Sequence, residues 1–208
     1  IPNYTIPYHV SCQSKCGNLS RSGLFGIKGL IVCGGGFLGK NLSRHLLSEG
    51  ISVHLFERAG YGNGQFPNEV EAEWFFGNFA SEKDIAPALQ DVDTVFLFAS
   101  STTPKTSNDN YRFDIESNLL ATVSFLEIAH KHGVKKIVFP SSGGTVYGIP
   151  MTTPISEQHA TDPICSYGIN KLAIEKYLSL FLRMNAMEYT ILRISNPYGP
   201  YQLANTGQ

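Results

Sequence analysis

Six residues constrain this chain more than any others, and they read Gly34-Gly35-Gly36-Phe37-Leu38-Gly39. They follow an apolar run typical of a strand and precede a stretch of helical periodicity, which is the setting that gives a G-x-G-x-x-G pattern its meaning. Such glycines allow a sharp turn, a close approach of phosphate to the backbone, and tight helix–strand packing. Free N–H groups at the start of the helix then bind the anion. We therefore predict a dinucleotide site at Gly34, Gly36, Phe37, Leu38 and Gly39.

Around this loop, short apolar runs alternate with helical periods. Strands are predicted over 28–33, 51–56, 73–76, 94–99, 134–139 and 189–194, and helices over 37–49, 82–89, 113–132 and 167–185. This alternation predicts an α/β fold, a doubly wound Rossmann-type parallel sheet with helices on both faces. A length of 208 residues suits one such domain. We assign residues 28–208 to it and residues 1–27, which show neither period convincingly, to a leader.

Composition excludes several function classes. A net charge of −1 gives no basic field for nucleic acid, and no apolar run approaches the roughly 20 residues needed to span a bilayer. The four cysteines are scattered in neither a disulfide nor a zinc pattern. The leader lacks the features of a secretory signal. We therefore expect a cytoplasmic protein that binds no nucleic acid, membrane or metal.

The residue at the end of the second strand bears on the choice of cofactor. Glu57 lies close to the offset of about 20 residues at which a carboxylate takes the adenosine ribose hydroxyls. A carboxylate there repels a 2′-phosphate, although the adjacent Arg58 could turn toward one. The pattern therefore favours NAD, with NADP as the less favoured alternative.

Tyr167 and Lys171 form a candidate catalytic pair. They are four residues apart at the start of a predicted helix, so both side chains lie on one face. A nearby ammonium favours the phenolate of a tyrosine, whose ordinary pKa is about 10. The pair could therefore move a proton on or off a hydroxyl during hydride transfer.

Five motifs, in order, resemble those of the extended short-chain dehydrogenases/reductases, and within them the NAD-dependent epimerase/dehydratase group typified by UDP-glucose 4-epimerase. They are Gly34 to Gly39; Gly77-Asn78-Phe79; Phe98-Ala99-Ser100; Ser141-Ser142 ahead of Val146-Tyr147-Gly148; and Tyr167-Gly168-Ile169-Asn170-Lys171. The resemblance runs from about Lys28 to the last residue.

This resemblance implies roles for individual residues. Tyr167 would be the catalytic acid/base, and Lys171 would lower its pKa and hold the nicotinamide ribose. Further cofactor contacts would come from Asn78, Phe79, Phe98, Ala99, Ser100, Asn118 and Ser141, and substrate contacts from Thr145 and Asn196. For Asn118 and Asn196, a turn or helix-cap role is an equal alternative.

Two departures from the family pattern stand out. The family's catalytic Ser or Thr falls on Gly143, so that hydroxyl must come from Ser142, our catalytic candidate, or from Thr145, or be absent. The chain also stops at Gln208, where family members continue into a C-terminal lobe over the substrate. The resemblance therefore predicts that this lobe is largely absent here.

The leading hypothesis is an NAD-dependent nucleotide-sugar epimerase, acting at C4 of a UDP-sugar. Gly143 and Gly144 supply no acid for dehydration, which disfavours that chemistry. A keto-sugar reductase and a non-catalytic NAD-binding module remain as alternatives. In the family the helices predicted over 113–132 and 167–185 pair across a two-fold axis, and both carry apolar positions beyond what a sheet face covers, so we expect a homodimer.

Overall fold

A computed structural model of the chain describes residues 28–61 and 72–202, which contain a six-stranded sheet in the order β3-β2-β1-β4-β5-β6. The strands are β1 Lys28–Val32, β2 Ser52–Glu57, β3 Glu73–Phe76, β4 Thr94–Leu97, β5 Lys136–Ser142 and β6 Glu188–Ile194. All neighbours pair in parallel. This is the doubly wound Rossmann order, so the predicted fold is confirmed. The leader, residues 1–27, lies outside the described residues.

Five α-helices connect or flank these strands. They are α1 Phe37–Ser48, α2 Glu82–Ile85, α3 Tyr111–Asp114, α4 Ala121–Lys131 and α5 Ser166–Asn185. A 3₁₀ turn, Ala86–Leu89, follows α2, and a π-helical turn, Ile115–Leu120, joins α3 to α4. The helix predicted over 113–132 is thus present over residues 111–131, with a π-helical turn in its middle that the sequence did not predict.

The sheet is covered on both faces. On the side of α4 and α5, the main core contains fully buried Leu30, Phe125 and Ile137. On the side of α1, a smaller cluster contains Ile31 and Leu55. Successive residues of β1 thus enter opposite cores, as expected of a central parallel strand. No helix among the described residues is both long and apolar enough to cross a bilayer.

The strand ends differ from the predicted ones where function would be built. β1 stops one residue early because Cys33 has a left-handed φ of 64°. β5 extends three residues beyond the predicted end, through Pro140 to Ser142. Pro140 is tolerated because β4 pairs with β5 only as far as Val138, so that edge needs no N–H from Pro140. Pairing with β6 continues to Ser142, which carries the two serines to the sheet's carboxyl edge.

Candidate cofactor and catalytic site

The carboxyl ends of the parallel strands open into one large cleft. Its volume is about 1600 Å³, above the range of about 300–1,000 Å³ usual for small-molecule sites. It is lined by the glycine loop, the ends of β2, β4 and β5, and the first turns of α5. The topology therefore brings the sequence motifs, which are spread over more than a hundred residues, to one edge of the sheet.

The glycine loop leaves the start of α1 open to an anion. Gly36 precedes the first turn of α1, no side chain caps this end, and the first turn holds no acidic residue. A Cβ on Gly36 would meet only the Cys33 carbonyl oxygen, at 3.4 Å, whereas a Cβ on Gly39 would lie 2.5 Å from that same oxygen. Gly39 thus allows the close helix–strand packing, while the backbone at Gly36 faces free space.

Glu57 is tied to the glycine loop. Its carboxylate accepts hydrogen bonds from the Gly35 N–H at 3.2 Å and from the Arg58 N–H at 3.1 Å. Burial raises the pKa of Glu57, and these two hydrogen bonds oppose the rise. The carboxylate borders the cleft, where the sequence predicts an adenosine ribose contact. Arg58 borders the cleft too, and its side chain is exposed.

Tyr61 is a member of this loop cluster that the sequence did not reveal. Its hydroxyl donates to the Gly35 carbonyl at 2.7 Å, and its ring fills the space that a Cβ on Gly35 would enter. Glu57 and Tyr61 therefore hold Gly35 through its N–H and its carbonyl. A tyrosine four residues beyond the strand carries no pattern by which sequence alone would assign it this contact.

Tyr167 and Lys171 face the cleft from the first turns of α5. The Lys171 Nζ lies 5.4 Å from the centre of the Tyr167 ring and donates to the Pro140 carbonyl at 2.9 Å. Burial lowers the pKa of Lys171 to about 8. Burial also raises the pKa of Tyr167, and a hydrogen bond between its side chain and that of Ser100 opposes this rise. The expected effect of Lys171 on the pKa of Tyr167 stays a prediction.

A buried carboxylate, Asp114, organises the surroundings of Tyr167. Its Oδ2 accepts from Ser166 Oγ at 2.6 Å and from Asn170 Nδ2 at 2.8 Å, and its Oδ1 accepts from Thr102 Oγ1 at 2.5 Å and from Asn118 Nδ2 at 2.8 Å. Its side chain is fully buried. Because Ser166 and Asn170 flank Tyr167 on α5, and Asn118 lies in the π-helical turn, this one carboxylate joins that turn to α5. No local pattern in the sequence marks this residue.

Asn118 lies in that π-helical turn and is largely buried. Its Oδ1 accepts from the Ser101 N–H at 2.8 Å, and its Nδ2 serves the Asp114 carboxylate. These contacts anchor the loop after β4, which carries the predicted cofactor residues Phe98, Ala99 and Ser100. In the structure Asn118 therefore positions the cleft wall, and the predicted direct contact with a cofactor stays a prediction.

The end of β5 is fixed by an ion pair. Ser141 Oγ donates to Glu175 Oε1 at 2.5 Å, and Arg193 holds the same carboxylate through Nε at 3.0 Å and Nη2 at 2.7 Å. Glu175 comes from α5 and Arg193 from β6, so three elements meet at this point. Ser141 is therefore engaged in the scaffold, and Tyr147 joins it through a hydrogen bond from Arg193 Nη1 at 2.9 Å.

Of the other predicted residues, Asn78, Phe79, Ser142, Thr145 and Asn196 all line the cleft. Asn78 Oδ1 accepts from the Ala80 N–H at 3.0 Å, which shapes the turn after β3. The Phe79 ring packs on Phe125, with ring centres 6.0 Å apart. No trio of His, Cys, Asp or Glu placed to hold a metal ion occurs within residues 28–61 and 72–202.

Comparison with known proteins assigns the chain to a family. Residues 30–208 match the NAD dependent epimerase/dehydratase family. The chain belongs to this family. The fold, the cleft and the order of the five motifs agree with that membership.

Solved structures and a curated relative illustrate it. UDP-glucose 4-epimerase of Thermotoga maritima, solved with UDP-glucose, is 30% identical with a TM-score of 0.78, over 85% of this chain and 58% of that one. UDP-glucose 4-epimerase of Thermus thermophilus, in complex with NAD, is 26% identical with a TM-score of 0.73, over 84% and 59%. The dTDP-4-dehydro-6-deoxyglucose reductase of Escherichia coli is 32% identical over 83% of this chain and 56% of its own length. The chain thus spans little more than half of these relatives.

A nicotinamide dinucleotide, which the family implies, fits this cleft on three structural grounds. The start of α1 has no side-chain cap, and no side chain at Gly36 keeps a pyrophosphate away from the backbone there. The Glu57 carboxylate borders the cleft where ribose hydroxyls would need an acceptor. Lys171 is buried, lines the cleft and has one carbonyl partner, so the rest of its ammonium is available to a polar group.

Proposed function

We propose that the protein containing this chain is an NAD-dependent nucleotide-sugar 4-epimerase whose substrate is a UDP-sugar. The observation that carries the proposal is the placement of Tyr167 and Lys171 on α5, facing the same cleft as the glycine loop. The epimerases from Thermotoga and Thermus support it, since their folds align with 85% and 84% of this chain.

In this proposal Tyr167 moves the proton. When bound, the nicotinamide supplies a hydride acceptor and, in its oxidised form, a positive charge beside the tyrosine. Tyr167 would take the proton from the hydroxyl at carbon 4 of the sugar, and it would return the proton to the same oxygen after the sugar has turned. Lys171 holds the ribose side of the cleft and keeps its ammonium near the Tyr167 ring.

A tyrosine with the ordinary pKa of about 10 is already a phenol at neutral pH, and burial raises the pKa of Tyr167 further. The tyrosine therefore needs a positive charge nearby before it acts as a base. A bound oxidised nicotinamide would supply such a charge, so in this proposal proton transfer depends on cofactor binding.

We propose NAD over NADP because the Glu57 carboxylate would repel a 2′-phosphate. Arg58, exposed on the same rim, is the residue that would favour NADP. Calorimetric titration with both cofactors tests this choice. NAD should bind more tightly than NADP, and Glu57→Gln should reduce the difference between the two affinities.

The deciding experiment supplies NAD and UDP-glucose and follows UDP-galactose by chromatography. Tyr167→Phe should lower turnover by about 10²-fold or more and leave NAD affinity unchanged. Tyr111→Phe, at an exposed tyrosine that does not line the cleft, is the matched control and should retain activity. If Tyr167→Phe retained full turnover, the catalytic assignment would be wrong, and absence of turnover in every form of the protein would leave a cofactor-binding module.

A keto-sugar reductase is the second candidate, favoured by the identity to the Escherichia coli reductase. The two activities differ in cofactor balance. An epimerase leaves the absorbance of reduced nicotinamide unchanged during turnover, whereas a reductase consumes reduced cofactor in proportion to product.

A further inference from the structure

One corner of the cleft lies where the glycine loop meets the end of β2. Glu57 Oε2 accepts from the Gly35 N–H at 3.2 Å, so the carboxylate and the backbone of Gly35 are neighbours. A carboxylate has about four acceptor sites, so Glu57 can still accept the hydroxyls of an adenosine ribose. In NADP the 2′-hydroxyl of that ribose carries a phosphate. A phosphate at this position would therefore lie beside both Glu57 and Gly35.

Tyr61 fills the space beside Gly35. A Cβ built on Gly35 would lie 2.4 Å from Tyr61 Cε1 and 3.1 Å from both Cδ1 and Cζ. The Tyr61 hydroxyl donates to the Gly35 carbonyl at 2.7 Å, which holds the ring against the loop. Tyr61, Glu57 and Arg58 all line the cleft. An aromatic ring thus closes the corner next to the Glu57 carboxylate.

The turn after β2 holds Tyr61 in this place. The Tyr61 N–H donates to the Arg58 carbonyl at 3.1 Å, so the chain turns back directly after the strand. Gly60 has a left-handed φ of 77°, a conformation that glycine adopts without the steric cost that other residues incur. The backbone of the turn, as well as the hydroxyl of the tyrosine, therefore determines where the ring lies.

The surroundings of Tyr61 keep its side chain neutral. Burial raises the pKa of Tyr61, and the nearby Glu57 carboxylate raises it further. The hydroxyl therefore remains a hydrogen-bond donor, and the Gly35 carbonyl accepts from it. A phosphate in this corner would meet the negative charge of Glu57 and an aromatic ring that carries no positive charge. Size and charge thus act in the same direction against a phosphate here.

We propose that Tyr61 is a specificity-determining residue for the cofactor, because its ring occupies the space that the 2′-phosphate of NADP requires. This inference rests on the proposed function and deepens it, since the preference for NAD then comes from Tyr61 as well as from Glu57. Specificity of this kind arises from obstruction of the wrong ligand rather than from an added contact with the right one. NAD carries only a hydroxyl at the same position, which fits beside the ring.

Calorimetric titration of the complete protein with NAD and with NADP tests the assignment through the ratio of the two affinities. Tyr61→Ala opens the corner and should shift this ratio toward NADP by about tenfold or more. Tyr61→Phe keeps the ring and loses only the bond to the Gly35 carbonyl, so the ratio should stay unchanged. Tyr111→Ala removes an exposed tyrosine ring outside the cleft. This variant is the control and should alter neither affinity.

The ratio separates this role from a structural one, because a loosened glycine loop would weaken the binding of NAD and NADP alike. An unchanged ratio in Tyr61→Ala, or an equal shift in Tyr61→Phe, would overturn the inference and leave the proposed function standing. Tyr61→Leu keeps an apolar side chain against Gly35, so it replaces Tyr61→Ala if that variant does not fold, and it should shift the ratio in the same direction. If the unmodified protein binds neither dinucleotide or prefers NADP, the proposed cofactor is wrong and the inference fails with it.

Discussion

Lys171 is a buried cation that forms no salt bridge among the described residues. Its ammonium has the Pro140 carbonyl at 2.9 Å and the Phe139 ring 4.6 Å away. These partners compensate only part of the lost hydration, which is why burial lowers the pKa of Lys171 to about 8. The charged form of Lys171 therefore lowers the free energy of unfolding, and this effect can be measured.

The stability of the fold should therefore rise with pH between about 8 and about 10.5 through this residue, from its folded pKa to the ordinary value of a lysine. In that window the unfolded chain binds a proton at Lys171 that the folded chain does not, and stability rises with pH wherever the unfolded state binds more protons. Urea unfolding at several pH values should show the unmodified protein gaining stability relative to Lys171→Met. Lys176→Met, exposed on the same helix, should follow the unmodified protein. A constant difference between the unmodified protein and Lys171→Met would refute the shift.

Two adjacent glycines should respond differently to the same change. Gly143→Ala should lose about 1–3 kcal/mol of unfolding free energy, as overpacking does, because its Cβ would lie 2.8 Å from the Arg193 carbonyl oxygen. Gly144→Ala should stay within about 0.5 kcal/mol of the unmodified protein, since nothing lies within 4 Å of its Cβ position. Chemical denaturation measures the unfolding free energy of both variants. If Gly143→Ala lost as little as Gly144→Ala, β5 and β6 would separate easily at this point.

Among the secondary-structure elements, the π-helical turn Ile115–Leu120 could not be predicted from the sequence. The apolar spacing over 113–132 is helical throughout, so it cannot signal a local shift of backbone hydrogen bonding. That shift places Asn118 against Asp114 and the Ser101 N–H. The same limit hid Asp114, because its partners Ser166 and Asn170 lie 52 and 56 residues away. Local pattern predicts elements, whereas contacts of this kind depend on the assembled fold.

Asp114→Asn should destabilise the protein by roughly 2–3 kcal/mol. The side-chain amide nitrogen of the new asparagine would face hydrogen-bond donors that now donate to a carboxylate oxygen. The charge of Asp114 adds to the pKa of Tyr167, after burial as the main cause. The pH profile of turnover should therefore also shift toward lower pH. Glu116→Gln, an exposed residue of the same turn paired with Arg112, is the control and should change neither quantity. An unshifted profile in Asp114→Asn would restrict the residue to a structural role.

For the whole molecule, local sequence patterns did not predict the order of the strands in the sheet. They did predict the edge of the sheet at which the motifs meet. Each parallel strand delivers its following loop to the same edge, so a sheet of this kind gathers Gly36, Ser100 and Tyr167 whatever the strand order. What remained hidden was steric: the closeness of Gly143 to β6. The sequence shows that position 143 carries a glycine where the family has a hydroxyl. Only the assembled strands explain why, since a side chain there would collide with the backbone of β6.

The outer face of α5 gives the last prediction. Ile169, Tyr177, Leu180 and Met184 recur at helical spacing on one side and are 53%, 38%, 47% and 72% exposed. A 20-residue helix with an apolar stripe of this length fits a symmetric contact with a second copy of the chain.

Light scattering should therefore give twice the chain mass of 22.8 kDa, and the double variant Leu180→Glu, Met184→Glu should give the single mass. Leu182→Glu places a charge on the opposite side of the helix, where Leu182 is 41% exposed, and should remain dimeric. If the unmodified protein is a monomer, or if Leu182→Glu alone dissociates it, the interface does not lie on this stripe.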